Sequence, residues 1–171
     1  MNPLIVISAL MLIGLASAWS NNYDRQLYFE CPDNESINNI KSVHNNHHED
    51  RIWDFECRRS SLVLDSCSWS GFANSYDDAL SFQCQNGAGV VTGMKSDHDN
   101  HHEDRRWKIK CCKPRSTCYS ECKLTPYVNE YDRPLSYSVE TGYYLTGMES
   151  VHDNHHEDRI WRYRYCKVIP C

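Results

Sequence analysis

The chain runs to 171 residues, with 18 Lys and Arg against 23 Asp and Glu and a formal net charge of −5, a balance that gives no basic field for nucleic acid. Ten cysteines, an even number, point to a disulfide framework in an oxidising compartment and leave no thiol nucleophile. Beyond residue 18 no stretch approaches the roughly 20 apolar residues that a membrane helix needs, which excludes membrane insertion of that kind.

Residues 1–18 read as a secretory signal: an uncharged start, an apolar run from Leu4 to Leu15, and Ala16-Ser17-Ala18 as a small-x-small cleavage site. A secreted, extracellular product would begin at Trp19, and residues 19–171 suffice for one domain with a real core. Asn34-Glu35-Ser36 is a glycosylation acceptor in that setting.

From here the chain repeats itself, in units at about 19–57, 75–112 and 130–166. Each opens with a Tyr-Asp pair (Tyr23-Asp24, Tyr76-Asp77, Tyr131-Asp132) and an alternating strand: Leu27, Phe29 and Cys31; Leu80, Phe82 and Cys84; Leu135, Tyr137 and Val139. A second apolar segment follows at 37–43, 90–96 and 145–151, where Gly93 and Gly147 mark a bulge or a close backbone approach. It delivers a polar stretch, His-(Asp/Asn)-Asn-His-His-Glu-Asp-Arg-x-Trp, whose arginines Arg51, Arg105 and Arg159 are spaced by 54 residues. This stretch has too many charges for a core, so a surface loop or strand corner is expected. A third strand then alternates Trp53, Phe55 and Cys57; Trp107, Ile109 and Cys111; or Trp161, Tyr163 and Tyr165 with mostly charged residues. The segments between repeats, Arg58 to Asn74 and Lys113 to Asn129, read as long loops held down by their cysteines. With no helical periodicity, the expectation is an all-β, disulfide-stapled, pseudo-threefold single domain of three 54-residue repeats, trefoil-like or prism-like.

The register pairs some of the cysteines. Cys31 and Cys57, like Cys84 and Cys111, hold equivalent places that the third repeat fills with Val139 and Tyr165, and joint loss is what bonded partners show. Cys31–Cys57 and Cys84–Cys111 are therefore expected, with Cys112 able to exchange roles with Cys111. Cys67, Cys112, Cys118, Cys122, Cys166 and Cys171 stay unassigned, with 15 possible connectivities.

Within the polar stretch Asp50, Arg51 and Trp53, Asp104, Arg105 and Trp107, and Asp158, Arg159 and Trp161 are expected to be scaffold. The arginine would be held by neighbouring carboxylates and stacked on the tryptophan, which is in phase with the buried strand face. The candidate ligand-binding residues are His44, Asn46, His47, His48 and Glu49; His98, Asp99, Asn100, His101, His102 and Glu103; and His152, Asp153, Asn154, His155, His156 and Glu157. All nine histidines of the chain lie here, in a polar context where no core requires them. Imidazole, amide and carboxylate suit sugar hydroxyls, and three copies on one body give avidity. The same groups suit zinc or copper, and protonation of all nine near pH 6 would carry the formal charge from −5 to +4. Recognition is preferred because it accounts for three copies; no metal site and no cofactor is assigned.

Enzyme readings find little support. A zinc-protease helix needs His-Glu-x-x-His, but the residues four after His48, His102 and His156 are Ile52, Arg106 and Ile160. There is no Gly-x-Ser-x-Gly elbow, and the stretch lacks the glycine and final glutamate of an EF-hand loop.

The Asp-Arg-x-Trp core, written at Asp50 to Trp53, Asp104 to Trp107 and Asp158 to Trp161, resembles that of the dermatopontin family of tyrosine-rich acidic matrix proteins. The likeness covers essentially the whole mature chain and extends to its 11 tyrosines and ten cysteines. It is nearest in character to invertebrate members, which include shell-matrix proteins and a blood-cell aggregation factor that is also a hemagglutinin. The resemblance implies a secreted, non-enzymatic adhesive protein that binds glycans, proteoglycans or cell surfaces, with Tyr23, Tyr76 and Tyr131 as sulfation candidates. The doubled histidines depart from the family pattern, so a role for them is not implied by it. The expected function is therefore multivalent agglutination through surface glycans or anionic polysaccharide or lipid. The alternative is a matrix protein that binds collagen or proteoglycan and acts through assembly, with self-association.

Overall fold

The computed structural model describes residues 19–84 and 89–171, so the expected signal at 1–18 lies outside the described residues. Among the described residues the chain is all-β, with eleven strands and no helix. The first repeat supplies β1 (Leu27–Glu30), β2 (Glu35–Asn45) and β3 (Asp50–Arg59), followed by β4 (Leu64–Trp69). The second supplies β5 (Leu80–Gln83), β6 (Val90–Asp99) and β7 (Asp104–Pro114), followed by β8 (Thr117–Leu124). The third supplies β9 (Leu135–Ser138), β10 (Tyr144–Asp153) and β11 (Asp158–Pro170).

Each repeat folds its long second and third strands into an antiparallel hairpin, but its short opening strand leaves for another repeat. β1 pairs with β6, β5 with β10, and β9 returns to β2, which closes a ring. The three sheets are accordingly β1-β6-β7-β4, β5-β10-β11-β8 and β3-β2-β9. Register is the same each time: Leu27 faces Ser96, Leu80 faces Ser150 and Leu135 faces Ser42. The opening strand approaches closely because of a bulge at Gly93 or Gly147, where a Cβ would run into the carbonyl oxygen of Phe29 or Phe82. Asn39 holds the corresponding bulge in the first repeat.

The segments expected to be loops correct that reading, since each carries a further strand, β4 or β8, paired with the following repeat's hairpin. Their side chains are mostly exposed or half-buried on both faces, so they lack the apolar alternation by which strands are recognised. Main-chain hydrogen bonds and the disulfides Cys67–Cys112 and Cys122–Cys166 hold them instead. Cys31 is bonded to Cys57 and Cys84 to Cys111, as the register leads one to expect, and Cys118–Cys171 ties down the last residue.

The inward face of each hairpin builds one core from equivalent residues, among them Ile40, Met94 and Met148 with Leu27, Leu80 and Leu135. At its centre Trp53, Trp107 and Trp161, at most 1% exposed, meet edge to face. Their centroids are 5.1–5.3 Å apart and their planes 79–81° from one another. Edge-to-face contact puts the positive rim of one ring on the negative face of the next, which adds about 0.5–1.5 kcal/mol per pair to the gain from burial.

Candidate functional site

The polar stretch forms the tips of the three hairpins. Asn45, Asp99 and Asp153 end the second strands, and their Oδ1 atoms accept the main-chain N–H groups two and three residues on, at 2.8–3.3 Å. For Asp99 and Asp153 these N–H groups also hold the carboxyl below its usual range. Glu49, Glu103 and Glu157 close each turn in the left-handed conformation, with φ of 47°, 43° and 44°. The chain then re-enters a strand at Asp50, Asp104 or Asp158.

Aspartate and arginine are neighbours on that strand and so point to opposite faces, which keeps them from pairing with each other. This corrects the expected pairing within a repeat: each arginine reaches the aspartate of another one. Arg51 grips Asp158, Arg105 grips Asp50 and Arg159 grips Asp104, each through two hydrogen bonds of 2.6–2.7 Å. All six are at most 4% exposed. The tryptophans pack on one another. Burial alone would raise the Asp158 carboxyl, but the His44 ring and the Arg51 guanidinium at its oxygens outweigh that and hold it at about 2.

Two further sets of residues buttress the ring, and both come from an Asn-x-Tyr-Asp sequence before each opening strand. Asn21, Asn74 and Asn129, 6–8% exposed, accept the main-chain N–H of Trp53, Trp107 and Trp161 at 2.9 Å and donate to the carbonyls of Arg51, Arg105 and Arg159. Asp24, Asp77 and Asp132 donate their main-chain N–H to Asp50, Asp104 and Asp158 at 2.8–2.9 Å. Sequence reasoning saw the Tyr-Asp pair in this set and passed over the asparagine, although it recurs with the same three-residue spacing to the aspartate.

The nine histidines fall into three classes. His44, His98 and His152 were expected in the polar loop, yet their side chains are 0–1% exposed. They continue the inward alternation Ile40-Ser42, Met94-Ser96 and Met148-Ser150 and end up among carboxylates of another repeat. His48, His102 and His156 are half-buried, lie flat on Tyr23, Tyr76 and Tyr131 with centroids 4.7–5.1 Å apart, and put Nδ1 2.9–3.1 Å from Asp24, Asp77 and Asp132. The hydrogen bond to Asp77 draws the pKa of His102 upward. His47, His101 and His155 are exposed beside the exposed Asn46, Asn100 and Asn154, each edge-on to the stacked histidine that follows it.

The tips surround one small pocket of about 20 Å³, room for about one water, lined by the Glu-Asp-Arg-x-Trp residues of all three repeats. The indole Nε1 atoms of the three tryptophans have no hydrogen-bond partner there. Burial raises the Glu103 and Glu157 carboxyls; the Glu49 carboxylate adds to the effect, against the opposing pull of His98 and His152. The arrangement thus offers exposed imidazoles and amides on a rigid rim, above buried histidine and carboxylate donors.

These features sit in a known lineage. The family model described as Dermatopontin matches residues 21–171. The chain is 44% identical over 172 residues to the hemagglutinin/amebocyte aggregation factor of Limulus polyphemus, across 99% of each chain. It is 41% identical over 146 residues to Millepora cytotoxin-1 of Millepora dichotoma, which covers 85% of this chain and 65% of that one. Identity to dermatopontin of Biomphalaria glabrata is 39% over 139 residues, covering 81% of this chain and 93% of that one. No solved structure matches it. A family model spanning nearly all the described residues, together with relatives matched along most of the chain, places this protein in the dermatopontin family.

Proposed function

We propose that this is a secreted, non-enzymatic, multivalent adhesive protein that agglutinates cells or particles by binding surface glycans, proteoglycans, or anionic polysaccharide or lipid. Its body is read as a pseudo-threefold ring of repeats, trefoil-like or prism-like, in keeping with the cyclic pairing of the opening strands. The observation that carries the reading is the rim: three hairpin tips present the same exposed pairs, Asn46-His47, Asn100-His101 and Asn154-His155, around one pocket. Imidazole and amide supply donors and acceptors for sugar hydroxyls, and the protonated ring attracts sulfate. Three weak contacts fixed on one rigid face hold a repeating surface with more avidity than any one alone. The Limulus relative's name, a hemagglutinin and aggregation factor, supports the same reading, and five disulfides with an exposed Asn34 suit a secreted glycoprotein.

Because the tips share one rim, a single chain grips one surface. Bridging two cells needs a second copy facing away, so agglutination goes together with self-association. The test is the triple variant His47→Ala, His101→Ala, His155→Ala, assayed for agglutination with sulfated and neutral polysaccharide competitors. We expect at least a tenfold loss of agglutinating titre with an unchanged Tm; full activity in the folded variant refutes the rim as the binding surface.

A matrix role is the second reading, supported by a different surface. On the flank Lys95 lies over the rings of Tyr28 and Trp69 at 4.4 and 4.0 Å, and Arg106 over Phe72 at 3.9 Å, a partly exposed set of cations and aromatics suited to collagen or proteoglycan. Co-sedimentation with collagen that survives the triple variant but not Trp69→Ala would favour it.

A further inference from the structure

Each seam between repeats buries one histidine among carboxylates and, although Asp50, Asp104 and Asp158 are held by arginine, leaves an imidazole nitrogen and one oxygen of a second aspartate without partners. The trios are His98 with Asp24 and Asp50, His152 with Asp77 and Asp104, and His44 with Asp132 and Asp158; in each, one donor atom per residue lies within 4.8 Å of the others. The histidine comes from one repeat and both aspartates from another, and the third trio closes the ring. Nε2 of His98 and His152, both ring nitrogens of His44, and Oδ1 of Asp24, Asp77 and Asp132 have no hydrogen-bond partner. Three related seams, each with an orphaned Nε2 and an orphaned aspartate Oδ1, are a pattern that calls for an occupant, since buried polar groups are otherwise paired.

Spacing says what kind. His44 Nε2 is 3.6 Å from Asp132 Oδ1, His152 Nε2 3.8 Å from Asp104 Oδ1, and His98 Nε2 3.9 Å from Asp50 Oδ1. These exceed a hydrogen bond. Nitrogen and oxygen ligands about 2.0–2.2 Å from a tetrahedral ion stand roughly 3.3–3.6 Å from one another, close to what the seams show. At His44 the other nitrogen, Nδ1, is 3.3 Å from Asp158 Oδ1, within range but without the alignment of a hydrogen bond.

Orientation agrees. His98 Nδ1 faces Asn100 Oδ1 at 3.3 Å and His152 Nδ1 faces Asn154 Oδ1 at 3.2 Å. An amide oxygen only accepts, so Nδ1 keeps the proton and Nε2 turns its lone pair toward Asp50 or Asp104, as in a histidine oriented for a metal by an outer hydrogen bond, while Asp77 Oδ1 stands 3.9 Å from His152 Nδ1 at the edge of the same cluster. Charge agrees as well: at the first seam Asp24, Asp50 and Glu103 are three carboxyl groups beside one guanidinium, Arg105, and the His48 ring at Asp24, an acidic setting that favours a cation. Glu103 Oε2 and Glu157 Oε2 stand 3.8 Å from the same Nε2 atoms, placed to serve as a fourth donor.

We propose that the three seams are cation sites, each holding one divalent ion of the zinc class through one imidazole and two carboxylates, so that three ions clamp the ring of repeats. Imidazole with few carboxylates suits zinc and its neighbours, whereas calcium takes six to eight oxygens. The sites lie beneath the exposed tips and stand apart from the adhesive reading.

The test strips the purified full chain with chelator, reloads it with Zn²⁺, and measures metal per chain and Tm. The expected result is about three ions per chain and a Tm raised by at least about 5 °C. Asp77→Asn should bind about two, and the His47→Ala, His101→Ala, His155→Ala variant should still bind three. Co²⁺ in place of Zn²⁺ should give the visible bands of a low-symmetry nitrogen and oxygen site. Less than one ion per chain with an unmoved Tm overturns the proposal, as does binding that survives Asp77→Asn but disappears in the triple variant. Should Asp77→Asn not fold, the wild-type stoichiometry set against the triple variant decides.

Discussion

The two ends of each hairpin are held by different rules. At the tip end the three repeats are near copies: all six guanidinium to carboxylate distances lie within 2.6–2.7 Å, and the tryptophan centroids differ by only 0.2 Å in separation. At the far end they diverge. Cys31–Cys57 and Cys84–Cys111 give way in the third repeat to Val139, with Tyr165 edge-on to Tyr143 at 5.4 Å. At the tips each arginine has its aspartate in another repeat, so a change in one repeat strands a charge in its neighbour. At the far end both partners belong to the same repeat and can change together.

That contrast can be broken most sharply at Arg105. Arg105→Ala leaves Asp50 buried and unpaired, so thermal denaturation should show a loss of about 3–5 kcal/mol, or roughly 10 °C in Tm. A loss near zero would mean that the ring of ion pairs does not hold the repeats. Next in size, Cys84→Ser with Cys111→Ser should cost about 2–4 kcal/mol, whereas Cys84→Val with Cys111→Tyr, which copies the third repeat, should recover part of it. Equal losses in the two double variants would show that the far end is no more tolerant than the tips. Gly147→Ala pushes a Cβ into the Phe82 carbonyl and should cost roughly 1–3 kcal/mol, while Gly71→Ala, with nothing within 4 Å of the added carbon, serves as its control. Smallest of all, Lys41→Ala removes an exposed pair with Glu56 and should leave Tm unmoved.

Much of this was legible in the sequence where a signal is local. The period, the hairpin strands, the bulge glycines and two disulfides follow from alternation and from residues that vanish together. What stayed hidden depends on closure. Arg51 and Asp158 are far apart in sequence, and nothing local says that a strand neighbour such as Asp50 is the wrong partner until side-chain alternation is combined with the ring. β4 and β8 were missed because an edge strand with solvent on both faces needs no apolar pattern. His44, His98 and His152 look like surface residues because their polar neighbours are exposed, yet each stands two residues beyond a buried serine and faces inward. The buried role of Asn21, Asn74 and Asn129 was missed, because their fixed distance to Tyr-Asp is a weak signal without the fold to explain it.

The return of β9 to β2 also has a meaning in time. β2 begins at residue 35 and the strand that covers its edge begins at residue 135. At a synthesis rate of about 5–20 residues per second, that edge waits roughly 5–20 s for its partner to be made. Throughout this interval a half-made chain offers an open row of main-chain donors and acceptors to any opening strand of the same kind, including one from another nascent copy. Slow elongation and crowding should therefore favour interlinked chains over closed rings, and the speed of the last third of synthesis becomes a determinant of which form accumulates.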